Sequence, residues 1–560
     1  MLNISEPQIV NNQILVNLLE GFYMSERVWL KHYPPTSNAE IEIPNMSLGQ
    51  VLQETTAKIP QNEAIIFYHK RMTYQELSGM VHVFTSALQE AGIQKGDRVA
   101  IMLPNCPQYV ISYYGSLNAG AIVTQINPLL VERELQYILA DSGAETIVVM
   151  DTLYPRVKAV KPHTNVKTII TVSLQPTEME LSSDKTFEQF MQSATGTVTP
   201  VDIEPEHDIA VLQYTGGTTG RSKGAMLTHR NIVANIVQSY EFFKSEIMFG
   251  KERSLTVIPL FHVFGMTSGM NLSIFVGAAN TLLPKFDVEE LLETISREQP
   301  TMFPGVPTMY VALTNHPKAL DYDLSSIRVC NSGSAPMPVE LMKEFERKTG
   351  ALILEGYGLS EASPVTHCNP IFAERKPGSI GIGIPNTDYK VVDVATGGNE
   401  VPPGDLGELI VKGPQVMKGY WNMPEETAIA LRDGWLYTGD IAKMDEEGYV
   451  YIMDRKKDMI IASGYNIYPR DIEEVLYEHP SVQEAVVIGI PDEYRGETVK
   501  AFVVLKQGKT ASDEEIISFC KQHLAVYKVP KMLEFRQELP KTNVGKILRR
   551  VLREEVIHPK

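Results

Sequence analysis

The chain has 560 residues, 43% hydrophobic and 21% charged, with a formal net charge of -17 at neutral pH. That length exceeds one ordinary core and predicts two or more domains, and the composition is that of an ordinary soluble globular protein. The acidic balance argues against nucleic acid as a partner, because phosphate backbones reward clustered cations; it leaves room for small anionic ligands held by a local positive field. Cys106, Cys330, Cys368 and Cys520 lie far apart with no Cys-x-x-Cys pair, which predicts reduced thiols in a cytoplasmic protein rather than a disulfide framework or zinc site. No run approaches the roughly 18 apolar residues of a membrane span; peripheral membrane contact and a homodimer are left open. Residues 1–22 lack the basic, apolar and small-residue succession of a secretory signal. Leu19-Glu-Gly21 can be encoded by a purine-rich, ribosome-binding-like run, which predicts a translation start at Met24.

From about residue 47 an alternation begins. Apolar runs predict strands over 64–68, 98–103, 121–125 and 146–150, with helices over 73–91, 106–117 and 131–140 between them. Thr73-Tyr-Gln-Glu76 is a capping box, in which hydroxyl and carboxylate satisfy early helix N–H groups reciprocally. Such alternation implies a parallel sheet with helices on its faces. Residues 174–206 show little periodicity and predict an irregular connection. Strands follow at 209–212, 254–258, 327–330 and 352–354, with helices at 228–237, 287–298 and 339–348. After about residue 376, glycines punctuate β-branched runs at 389–392 and 408–411, which suits a small β-barrel or meander. The charge cluster Asp454-Arg-Lys-Lys-Asp458 predicts a hinge. Beyond it an α+β module is expected: a helix at 469–477, strands at 485–488 and 501–505, a helix at 513–524, and a basic amphipathic segment at 545–553.

The most informative stretch is Tyr214-Thr-Gly-Gly-Thr-Thr-Gly-Arg-Ser-Lys-Gly224, lying between an expected strand and an expected helix. Its four glycines let backbone N–H groups turn toward an anion, its hydroxyls donate further bonds, and Lys223 brings charge. It is not a Walker A loop, because no glycine register places Gly-Lys-Ser/Thr correctly. A surface turn would not need this composition between two buried elements. Five other stretches are polar or glycine-rich where an element should end. Pro259-Leu-Phe-His-Val-Phe-Gly265 sets His262 among aromatics, although a lone histidine is more often a core residue. Asn331-Ser-Gly-Ser-Ala-Pro336 could approach a flat ligand closely. Glu355-Gly-Tyr-Gly-Leu-Ser-Glu361 offers an aromatic to stack a base and a carboxylate for a hard cation. Asp433-Gly-Trp-Leu-Tyr-Thr-Gly-Asp440 ends in an acid suited to ribose hydroxyls, and Pro540-Lys-Thr-Asn-Val-Gly-Lys546 presents a lysine. Together they predict a nucleotide and magnesium site at the carboxyl ends of strands.

These motifs, in this order and spacing, together with Asp454-Arg455, resemble the adenylate-forming superfamily of acyl-CoA synthetases, luciferases and peptide-synthetase adenylation domains. The resemblance covers almost the whole chain from about Ser47. Within it, residues 433–457 look like a fatty-acyl-CoA synthetase signature, and the tail from Tyr527-Lys-Val-Pro530 to Arg550 is similar to bacterial long-chain enzymes. The resemblance implies an α/β fold: two sheet-helix subdomains plus a β-barrel, then a small mobile α+β C-terminal domain. Boundaries are expected as an extension at 1–46, an adenylation domain at 47–454 with its barrel at 376–453, and a C-terminal domain at 455–560.

It further implies ATP-dependent ligation of a long-chain fatty acid to coenzyme A through an acyl-adenylate, with Mg2+ as cofactor. Thr215, Gly216, Gly217, Thr218, Thr219, Gly220 and Lys223 would hold the β- and γ-phosphates, with Tyr214 at the head of the loop. Gly333, Ser334, Ala335, Gly356, Tyr357 and Gly358 would line the adenine, and Asp440 and Arg455 would take the ribose. Thr215 and Glu361 would serve Mg2+, and Lys546 would bridge the carboxylate and α-phosphate. A swing about Lys457 would exchange Lys546 for Ser463-Gly464-Tyr465, where glycine lets the pantetheine arm pass. His262, Phe264, Gly265, Met266 and the segment around Gly305 would wall the acyl site. An amino-acid-activating domain would need a carboxylate for the ammonium where His262 stands. An aryl- or medium-chain-acid ligase and a silent nucleotide-binding protein are the alternatives.

Overall fold

The computed structural model describes residues 27–33, 38–174, 184–215, 222–371, 373–456, 458–462, 465–492, 495–542 and 547–557. Two large sheets dominate. In the first, the strands run in the order Gly419–Tyr420, Lys223–Thr228, Ile209–Thr215, Ile122–Gln125, Arg98–Met102, Thr146–Met150, Thr168–Val172 and Lys185–Thr186. Val99, Ala100, Ile101 and Met102 are all buried, as expected of a strand covered on both faces. The second sheet runs Ile382–Gly383, Val365–Cys368, Leu352–Gly358, Val329–Ser332, Met302–Gly305, Arg253–Thr256, Ala279–Leu282, Glu63–Phe67 and Lys70–Thr73. The alternation from residue 64 is therefore shared between two sheets, because Glu63–Phe67 pairs in parallel with Ala279–Leu282.

Buried polar bonds fasten the two sheets to each other. Asn105, beyond the Arg98–Met102 strand, donates to the carbonyls of Thr256 and Ile258, and Tyr109 donates to that of Leu260. Each leaves a buried polar group satisfied, which water would otherwise have to do. The Thr73 box closes as expected: Glu76 N–H donates to the Thr73 hydroxyl at 3.2 Å, and Thr73 N–H to the Glu76 carboxylate at 2.8 Å.

Two expectations are corrected and a third is met in part. The loop after Thr215 does not lead directly into the expected helix: Lys223–Thr228 first returns as a strand antiparallel to Ile209–Thr215, and the helix follows as His229–Phe243. Lys223-Gly-Ala-Met-Leu-Thr228 has two small residues and only a short apolar run, too weak a period to be read as a strand. Within 174–206, a short strand and the helix Phe187–Gln192 form on a second capping box, Thr186 with Gln189. After residue 376, Asp388–Val392, Gly407–Lys412, Leu431–Arg432, Trp435–Met444 and Val450–Arg455 make the expected antiparallel meander. Ile382–Gly383 and Gly419–Tyr420 leave that region to extend the two large sheets.

The C-terminal module packs the helices Pro469–Glu478 and Asp513–His523 on strands Val482–Asp492 and Gly496–Leu505, around Ile472, Leu476, Val487, Val503 and Ile516. All four cysteines are free and buried. Among the described residues no helix is long and apolar enough to cross a membrane.

Candidate active site

Parallel register sets Gly305, Ser332 and Glu355 level at the carboxyl ends of three neighbouring strands. A cavity of about 230 Å³ opens there, closed by the antiparallel meander on one side and the C-terminal module on the other. Ser334, Ala335, Gly356, Tyr357, Gly358, Asp440 and Arg455 all line it. Ser334 has a left-handed backbone, φ +67°, which turns the chain sharply over the cavity rim. Gly358 has no room for a side chain, since a Cβ would stand 2.3 Å from the Pro364 carbonyl oxygen.

The end expected to take the ribose is a register effect. Asp440 and Arg455 are direct partners across the meander strands, and the Arg455 Nε lies 2.8 Å from the Asp440 carboxylate. The Tyr357 hydroxyl donates to the other carboxylate oxygen at 2.5 Å. Asp440 holds the Arg455 guanidinium above its ordinary pKa, and burial keeps the Tyr357 phenol protonated. The triad is thus a fixed donor and acceptor array.

Beneath it lies a pair that the sequence did not single out. Glu355 is fully buried, and burial pushes its carboxyl up to about 7 while Arg470 pulls the other way. One oxygen accepts from Met337 N–H at 3.2 Å; among the described residues the other has no partner. Arg470, from the C-terminal module, sits 3.9 Å from Glu355 and donates to the Ile452 carbonyl at 2.7 Å. Glu355 stood in the quoted motif without a role. Arg470 carried no signal, since one arginine in an amphipathic helix reads as a solvated charge.

At the phosphate end, Thr215 and Lys223 face each other across the hairpin. Gly216, Gly217, Thr218, Thr219 and Gly220 lie outside the described residues. The Lys223 ammonium pairs with Glu426 and sits 5.2 Å from the centre of the Tyr420 ring. Tyr420 donates its hydroxyl to Glu361 at 2.8 Å. At the head of the loop, the Tyr214 hydroxyl donates to Asp141 at 2.5 Å and its ring packs toward Gly224. No group of three or more His, Cys, Asp or Glu forms a metal cage among the described residues. A single carboxylate, Glu361, still fits Mg2+, which keeps several waters and shares its substrate's phosphates.

The acyl candidates gather beside the adenine loop. The Phe264 ring is the nearest neighbour of Gly333, 3.3 Å from where a Cβ would stand. Gly265 opens a π-helical stretch, Gly265–Asn271, and a Cβ there would meet the Pro259 carbonyl oxygen at 2.2 Å. Such wide turns cluster at functional sites. The His262 Nδ1 accepts from Phe264 N–H at 3.3 Å, and Gly305 packs under the Tyr310 ring.

Lys546, Lys457, Ser463 and Gly464 lie outside the described residues. Lys541 and Ile547, which bracket the Lys546 segment, pair with each other and line the cavity. Ala462, beside the Gly464 segment, pairs with Gly496 and is not part of the cavity wall.

Residues 52–421 match the family described as AMP-binding enzyme, and residues 471–546 match the AMP-binding enzyme C-terminal domain. The chain belongs to the AMP-binding enzyme family. It is 52% identical to a long-chain-fatty-acid–CoA ligase of Bacillus subtilis (strain 168), over 95% of this chain and 98% of that relative. A long-chain-fatty-acid–CoA ligase of Escherichia coli O6:H1 is 40% identical over the same shares. Among solved structures, the anthranilate CoA ligase AuaEII in complex with anthranoyl-AMP superposes with a TM-score of 0.85 at 28% identity, covering 92% of this chain and 98% of that one. The AMP-binding enzyme fold thus extends over nearly the entire chain, including the cavity between its two parts.

Proposed function

We propose that this AMP-binding enzyme joins a long-chain fatty acid to coenzyme A at the expense of ATP, releasing AMP and pyrophosphate. The observation that carries the reading is the 52% identity with a long-chain-fatty-acid–CoA ligase over 95% of the chain. The preformed Tyr357–Asp440–Arg455 array beside the cavity supports it.

In the first half-reaction a carboxylate oxygen of the fatty acid attacks the α-phosphorus of ATP, and the bond to the bridging oxygen of pyrophosphate breaks. In the second, the thiol of coenzyme A attacks the acyl carbon, and AMP leaves. Neither half requires a covalent enzyme nucleophile, so catalysis is positioning and charge stabilisation. Asp440 accepts from the ribose hydroxyls, steered by the Tyr357 and Arg455 donors. Ser334, Ala335 and Tyr357 bracket the base. Lys546 offsets charge growing at the α-phosphate while the C-terminal module is docked, and Lys457 is the hinge by which the module turns Gly464 toward the site. Glu361 and Thr215 would hold Mg2+, which supplies charge neutralisation of the phosphates.

Phe264, Gly265 and Gly305 set the width of the acyl entrance. Each buried methylene contributes about 0.8 kcal/mol, so affinity grows steadily with chain length. One methylene discriminates only about 10–200-fold, so a range of chains is expected. An aryl acid is the second reading, favoured by the similarity to the anthranilate ligase. ATP–pyrophosphate exchange across acetate, benzoate, octanoate, palmitate and amino acids tests both. Exchange strongest with palmitate is expected; exchange with benzoate alone would overturn the long-chain reading.

A further inference from the structure

Lys223 is one of two cations in the phosphate loop, with Arg221, and its charge is already answered. Its backbone is fixed opposite Thr215, its side chain is 15% exposed, and its ammonium is held by Glu426 over the Tyr420 ring. Glu426 is no drifting surface acid. The strand Gly419–Tyr420 pairs with the Lys223 strand, with Tyr420 opposite Ala225. The helix Pro424–Ala430 follows directly, tied back by Tyr420 N–H donating to the Thr427 hydroxyl at 2.8 Å. Backbone pairing therefore presents the carboxylate to Lys223. Tyr420 also donates to Glu361, so one segment governs both the cation and the metal-side carboxylate of the phosphate end.

We propose that Glu426 is an internal counter-ion of Lys223 that competes with the phosphates of ATP and pyrophosphate, and so hastens pyrophosphate release. The argument is electrostatic. A polyphosphate gains from Lys223 only what Glu426 gives up, and the carboxylate remains within a few ångströms as a like charge against the incoming anion. A lysine left free would bind the polyanion more tightly at both ends of the reaction, substrate and product alike. That is uniform binding, which lowers KM without raising kcat and retards product departure. The proposal rests on the reading of Thr215–Gly224 as the phosphate loop.

The test is calorimetric titration of pyrophosphate, with magnesium present, into the full-length wild type and Glu426→Gln, which keeps size and hydrogen bonding but removes the charge. Binding about three- to tenfold tighter is expected in the variant, the scale of one partly exposed ion pair. The same factor should appear in pyrophosphate inhibition and in the KM for ATP, while AMP binding stays within about twofold, because AMP does not reach Lys223. Lys223→Met in the Glu426→Gln background should abolish the gain. Should Glu426→Gln fold poorly, judged by its melting temperature, Glu426→Asp, with its carboxylate drawn back, should show an intermediate tightening. Equal or weaker pyrophosphate binding in a folded Glu426→Gln would overturn the proposal while leaving the loop reading intact. Absence of pyrophosphate binding in the wild type would overturn both.

Discussion

At the end of the cavity proposed for the ribose, Asp440 and Arg455 are neighbours because two antiparallel strands put them in register, and Tyr357 reaches them from a third strand. At the end proposed for the phosphates, Lys223 pairs with Glu426 and Tyr420 donates to Glu361. The first end is preorganised, so a ligand finds its partners waiting. By the proposal above, the second exchanges one partner for another. An enzyme that keeps AMP through two half-reactions but loses pyrophosphate after the first needs that asymmetry. His229 and His367 are buried. His229, at the opposite end of the hairpin from Lys223, accepts from Leu48 N–H; His367 stacks edge-on with Tyr357 and Tyr389.

The largest effect should come from neither end. Lys546→Ala is expected to lower adenylation by about 10²–10³-fold, the scale of losing one transition-state contact, while thioester formation from synthetic acyl-adenylate and coenzyme A is largely spared. Measuring the two half-reactions separately decides it; equal losses would remove Lys546 from the first step. Asp440→Asn comes next. Weakening a charge-assisted bond to the ribose should raise the KM for ATP about 10–100-fold, with little change in pyrophosphate binding. A comparable fall in pyrophosphate affinity would erase the distinction between the ends.

The histidines give a stability test. Burial pushes His367 down to about 3 and His229 down to about 4. Both are neutral when folded and take up protons when unfolded, so their contribution is complete above pH 6.5 and is lost as pH falls toward those values. Between pH 6.5 and 5 each should cost about 2 kcal/mol. Urea melts of His367→Gln should show a correspondingly shallower loss over that interval; an unchanged slope would mean the ring is not held neutral. Glu355 works in the opposite sense. Its raised carboxyl favours the folded state at low pH, and this is lost as pH rises from 4.5 to about 7.

Arg470→Met is the smallest. Without the bond to Ile452 and the approach to Glu355, docking of the C-terminal module should weaken, lowering adenylation about tenfold and thioester formation less than twofold. Arg470→Lys should restore part of the loss. A variant slow in both halves would make Arg470 a mere support of the module.

Much of this was legible because it is local. A capping box needs four consecutive residues, and Thr73 to Glu76 closed as written. Glycine-rich element ends betray ligand approach, and Ser334, Tyr357, Asp440 and Arg455 did converge on one cavity. What escaped was set by partners distant in sequence. Nothing in Lys223–Thr228 distinguishes a hairpin strand from a helix entry until Gly419–Tyr420 arrives to pair with it. Glu426 fell in no expected element and Arg470 reads as an ordinary helix charge; their partners Lys223 and Glu355 stand 203 and 115 positions away. The sequence by itself determined the chemistry available to the chain, the phosphate-binding composition, the ribose acid and the late lysine, because those depend on residue type and spacing. Only the tertiary structure decided which charges neutralise which, since Coulomb interactions depend on distance in space and on burial, and neither is written in the order of residues.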